Sequence, residues 1–319
     1  MQGCEQQEDG SKAAIHGSSK ALRPAVYREM DHVRLALRGR DGESVISRTA
    51  WQPPESSFRV RAVSKQVRRA VNARVTPVLF SFSARFFVVF LALTVWAFWP
   101  SYFSRLFEQP NIWFHAHGVA LALWLGMLVV QAQLIRTQRR SLHRQLGKLS
   151  YVLAPAVVVI TTVFIHQRVA PAVVGLSVLP PMALHFLALT LLSLVAFAAF
   201  YGLAIARRRD AQTHARWMIC TVFPLVTPVT DRLIGAHLRP LVSLVPRIDG
   251  SPILPTVGFA LADLALLSLS WWDWRMNRRR DVFPVALAVL LVYHVGTLTL
   301  HRAPLWNAIC VWFLALPLS

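Results

Sequence analysis

The chain has 319 residues, 55% hydrophobic and only 15% charged, with a mean hydropathy of +0.45 and a net charge of +19. A soluble domain carries about a quarter charged residues, so a water-soluble enzyme is excluded. Nucleic acid is excluded as a partner too, because the cations past residue 84 cluster in short loops between apolar runs, the pattern of membrane topology.

Residues 1–84 read as a polar, basic, cytoplasmic segment. Its first part, 1–56, lacks any sustained period and is expected to be disordered. Over 57–75, Val60, Val63, Val67 and Val71 fall at helical spacing among Arg59, Arg61, Lys65, Arg68, Arg69 and Arg74. This spacing predicts an amphipathic helix lying on anionic lipids; a solvated linker is the alternative.

Residues 85–319 form the transmembrane domain, expected to be an all-α, polytopic helix bundle with about eight spans. Apolar runs of about 20 residues match a bilayer core about 30 Å thick. They cover roughly 86–105, 112–135, 147–167, 182–206, 215–235, 254–274, 282–300 and 303–318. Arg136, Arg139, Arg140, Arg144 and Lys148 follow the second run, Arg207–Arg209 and Arg216 the fourth, and Arg275 with Arg278–Arg280 the sixth. The other loops are sparser in cations. The positive-inside rule therefore puts both termini in the cytoplasm and the protein in the plasma (inner) membrane. Trp113 and Trp306 at one interface, with Trp217, Trp271, Trp272 and Trp274 at the other, read as an aromatic belt. Pro224 and Pro228 predict a kink in the fifth span. Cys220 and Cys310 read as small packing residues.

Ionisable groups inside spans are functional candidates by default. His117 and His185 lie one to two turns inside the second and fourth spans, counted from the outer ends. His143 and His214 lie at the cytoplasmic ends of the third and fifth, if those helices begin near Ser141 and Ala211. Paired at matched depth, such histidines can supply both axial ligands of a haem b, with Arg144 and Arg216 within reach of propionates. Lipid phosphate is the simpler partner for the inner histidines and arginines. His115 points about 200° away from His117. Asp231, Arg232, Asp263 and His294 are further intramembrane ionisable residues.

Two segments carry a resemblance. Leu142-His143-Arg144-Gln145-Leu146-Gly147 resembles a Leu-His-Arg-x-Leu-Gly signature, and His214-Ala215-Arg216-Trp217-Met218 resembles a His-x-x-Trp-Met signature. Both occur in a family of predicted bacterial multi-pass inner-membrane proteins of unknown function. The alternation of histidines is also similar to that of cytochrome b561 and related di-haem proteins. That likeness implies His117 paired with His185 and His143 with His214.

Three functions follow as expectations. The first is a haem-binding transmembrane electron carrier with a quinone or other redox partner. The second is a proton- or ion-coupled transporter using Asp231, Arg232, Asp263 and His294. The third is a non-catalytic protein of membrane assembly or lipid interaction. No nucleophile elbow, phosphate loop or zinc-protease motif is present.

Overall fold

The computed structural model describes residues 82–108, 111–248 and 250–318. The segments 1–56 and 57–75, with the amphipathic helix expected there, lie outside these residues.

The described residues build ten α-helices: α1 (Phe82–Phe98), α2 (Ile112–Arg136), α3 (Arg140–Gly147), α4 (Ser150–Val169), α5 (Pro181–Ala206), α6 (Ala211–Cys220), α7 (Phe223–His237), α8 (Pro255–Asn277), α9 (Phe283–Thr299) and α10 (Pro304–Leu314). A two-residue hairpin pairs Arg247–Ile248 with Ser251–Pro252 ahead of α8. Most helix starts are marked chemically. Asn111 accepts a hydrogen bond from the Trp113 amide at 2.8 Å, and Asp210 accepts from Gln212 and Thr213, each satisfying backbone donors that the first turn leaves free. Proline opens α5, α8 and α10, where its missing N–H is no loss.

Two expected spans are broken helices. α3 and α4 together run from Arg140, and α6 and α7 meet at Thr221–Val222, just before Pro224. Proline there cannot donate to the preceding turn, so the predicted kink becomes a break. The starts of α3 and α6 at Arg140 and Ala211 put His143 and His214 in their first turns.

Six segments are long and apolar enough to cross a membrane: Ile112–Arg136, Arg140–Ala172, Pro181–Ala206, Ala211–His237, Pro255–Asn277 and Phe283–Arg302. α1 and α10 are shorter. At 11 residues, α10 spans about 16 Å, so as a helix it is shorter than the hydrocarbon core that the expected eighth span would cross. Its neighbours show where it goes instead. His166 Nε2 donates to Leu314 O at 3.2 Å, and Gln167 Nε2 to Leu318 O at 2.9 Å. The last described residues thus touch the final turn of α4.

The main core surrounds Trp124, Phe200, Leu266, Phe283 and Leu290, all fully buried. A second cluster, Ile165, Leu187, Cys310 and Phe313, seats α10. Cys220 and Cys310 are both buried packing residues. Trp217 departs from the expected belt: it is buried and stacks on Phe200 with ring centroids 5.9 Å apart. Below, the end carrying the arginine-rich loops is called the basic end, and the other the far end.

Candidate functional site

At the basic end, the chain crosses from α2 through α3 and from α5 into α6. These short turns bring the two signature histidines together: the rings of His143 and His214 lie 6.5 Å apart, nearly perpendicular. His214 Nδ1 donates to Ala204 O at 2.9 Å, which leaves Nε2 as its open position. Gln131, on the buried face of α2, closes on the other histidine. With its amide turned to satisfy its neighbours, its nitrogen reaches His143 Nδ1 and O, and its oxygen accepts from the Gly147 amide at 2.9 Å.

Beside this pair stands an ionic plate. Arg216 Nε donates to Asp273 Oδ2 at 2.8 Å and its terminal nitrogen to Oδ1 at 2.7 Å, with both side chains 3% exposed. Arg216 also donates to Gln212 O, and Asn277 donates to Asp273. Arg279 adds a rim, donating to Thr213 Oγ1 at 2.6 Å and pairing with Asp281. The Thr213 hydroxyl and the nearby backbone amides hold the Asp210 carboxyl below its ordinary range, and the Arg279 guanidinium does the same for Asp281. Arg216 is buried and committed to Asp273 and Gln212, whereas Arg144 is exposed. Asp273 was missed in the sequence. Its only signal is an acid set among Trp271, Trp272 and Trp274 at a span end.

The far end holds a cavity of about 510 Å³ between α1, α2, α4, α5, α7 and α9. Its walls are mostly aliphatic and phenyl groups; Phe114, Phe164, Phe186 and Phe197 are among them. Its lining includes His117, Arg168, Asp231, Arg232 and Tyr293 within about two turns of the helix ends, and Thr190 and Ser193 deeper in. His117 is held on two sides, with Nδ1 3.0 Å from Thr161 Oγ1 and its ring stacked on Phe164 at 4.6 Å. His115 faces the other way, 3.2 Å from the Tyr102 hydroxyl. On the opposite wall, one Asp231 carboxylate oxygen is buried with no hydrogen-bond partner. The Tyr293 hydroxyl, 2% exposed, sits near Thr227 and Asp231 but in hydrogen-bonding geometry with neither. Arg232 stands over the Phe98 ring at 5.6 Å, and both cavity arginines are exposed at the mouth.

The remaining candidates fall elsewhere. His185 is buried and turned to α9, where Nδ1 donates to Thr297 O at 3.0 Å. It does not line the cavity that His117 faces. His294 donates to Asp263 at 3.1 Å, fastening α9 to α8. Among the described residues, no group of three or more His, Cys, Asp or Glu side chains is placed to hold a metal ion.

No curated protein and no solved structure matches the chain. Residues 112–271, half of the sequence and nearly all of α2–α8, match the family described as predicted membrane protein DUF2306. The segment includes both signature histidines, His117, His185, Asp231 and Asp263. The chain belongs to this family of multi-pass membrane proteins, whose function is not known.

Proposed function

We propose that this protein binds a quinone-class molecule, with a small hydrogen-bonding ring and an apolar tail, as a partner in membrane electron transfer. One observation carries the reading: a largely apolar cavity of about 510 Å³ closes, one to two turns below the far end, on His117 and Tyr293 from different helices. A ligand pocket of this kind combines apolar walls with a few placed polar groups. The volume lies in the usual range for small-molecule sites. The phenyl groups suit a flat ring, which stacks in offset or edge-on arrangements. His117 is pre-oriented by Thr161 and Phe164, so little rotamer freedom is lost on binding. A plasma-membrane setting with the basic end in the cytoplasm agrees with the arginine clusters, which also suit contact with anionic lipids.

The test is a titration of the purified protein in mild detergent with a ten-carbon alkyl benzoquinone, read by quenching of tryptophan fluorescence. Saturable one-to-one quenching, weakened about tenfold or more in His117→Ala, is expected from the loss of a buried hydrogen bond. Quenching that never saturates, or that is identical in the variant, contradicts the reading.

A second reading concerns haem b, and the His143–His214 separation favours it. The two rings stand 6.5 Å apart, close enough for both side chains to reach one such group. The His214 Nδ1–H···O=C bond orients that ring as metal-ligating histidines are usually oriented. Such a group, when bound, supplies one-electron chemistry. His143 and His214 would hold it. The pairing of His117 with His185 finds no such support.

A further inference from the structure

Resting on the quinone-class reading, we infer that the cavity selects the reduced, dihydroxy form of its ligand, and that the Asp231 carboxylate is the selecting group. The argument is one of donors and acceptors. A quinone ring offers two carbonyl oxygens, which only accept. A quinol offers two hydroxyls, which donate as well. Asp231 lines the cavity, and one of its oxygens is buried with no hydrogen-bond partner, so that a small rotation of the side chain presents it to a ligand. Arg232, its chain neighbour, is directed to the Phe98 ring and the mouth. Among the described residues, Asp231 forms no ion pair.

A buried acceptor left unpaired is costly, and a ligand that pairs it recovers that cost. A quinol hydroxyl pointed at Asp231 does so; a quinone carbonyl there adds repulsion between two acceptors. The Tyr293 hydroxyl beside it is also unpartnered and can either donate or accept. It tolerates both forms and so does not discriminate. At the other side of the cavity, His117 has one ring nitrogen engaged with Thr161, and its remaining nitrogen serves whichever tautomer the second ligand oxygen requires. Selectivity thus falls on one carboxylate. A site built around a substrate hydroxyl discriminates strongly against an analogue lacking it, because the site's own polar group then stays unpaired.

The experiment compares two ligands with the same ten-carbon tail, the alkyl hydroquinone and the alkyl benzoquinone, bound anaerobically to the full chain in detergent. The wild-type protein is expected to bind the hydroquinone at least about tenfold more tightly. In Asp231→Asn the amide can donate to a carbonyl, so the ratio is expected to fall to near one or to invert. Tyr293→Phe is expected to weaken both ligands and leave the ratio unchanged. Equal binding of the two ligands by the wild type overturns the inference. So does tighter binding of the benzoquinone, which would make Asp231 a protonated donor, and so does an unchanged ratio in Asp231→Asn. Binding of neither ligand overturns the quinone-class reading itself, a separate result.

Discussion

Arg216 and Asp273, 57 positions apart in sequence, meet in two parallel hydrogen bonds of 2.8 and 2.7 Å that tie α6 to α8 out of contact with solvent. Removing one partner strands a buried charge, which costs about 3–5 kcal/mol. Asp273→Ala and Arg216→Ala should each lower the unfolding temperature sharply in a thermal melt read by size-exclusion fluorescence. Replacing both together by Leu and Met should lose less than either single change. A double variant worse than both singles would show that the pair does more than neutralise itself.

Acid should loosen the basic end first. Asp210 and Asp281 have carboxyl pKa values held below the ordinary range by Thr213 and Arg279. For such groups the folded state binds its proton later than the unfolded state. The stabilisation is thus present above the ordinary carboxylate pKa of about 4 and fades as pH falls below it. Both side chains are about half exposed, so the effect is small. Melting temperature measured from pH 7 to pH 3 should fall less steeply in Asp281→Asn than in the wild type over the lowest part of that range.

Gly258 sets the approach of α8 to α7. A Cβ built there would lie 2.5 Å from Thr230 Oγ1 and 2.7 Å from Thr227 Cα. Small residues at membrane helix crossings permit this contact. Gly258→Ala should destabilise by about 1–3 kcal/mol, and Gly258→Leu should prevent a monodisperse product in detergent. Gly126 and Gly202, whose added Cβ would meet nothing within 4 Å, should tolerate alanine without loss.

If haem is bound, its ligands are the signature histidines. Expression with a haem precursor, followed by a reduced-minus-oxidised spectrum, should give a b-type signal that His143→Ala and His214→Ala abolish. His185→Ala should retain it, because that ring is turned to Thr297 on α9. A signal lost in His185→Ala but kept in His143→Ala would reverse the assignment.

The parts legible in sequence were those encoded locally. The basic clusters marked where helices end. Pro224 marked the interruption of the fifth span, and the depth of His143 and His214 brought them to one level, where their rings lie near each other. Rotation about each helix axis was not legible. A membrane helix apolar on every side carries no stripe to say which face turns inward, so nothing in the sequence aimed His185 at α9 or Arg216 at Asp273. Length misled at the C-terminus. Residues 303–318 are apolar enough for a span, but only Pro304–Leu314 is helical, and His166 and Gln167 capture the carbonyls that follow. The cavity was invisible for the same reason as the rotations, since its walls come from six helices.

The most direct test of the central claim is photolabelling with an azido-quinone bearing an apolar tail, with labelled peptides mapped by mass spectrometry. The account predicts label on cavity-lining residues such as His117, Leu121, Phe186, Leu189, Pro228 and Asp231, and its displacement by excess unlabelled hydroquinone. Label spread over lipid-facing residues such as Val152, Val159 and Val292, undiminished by competitor, would contradict it.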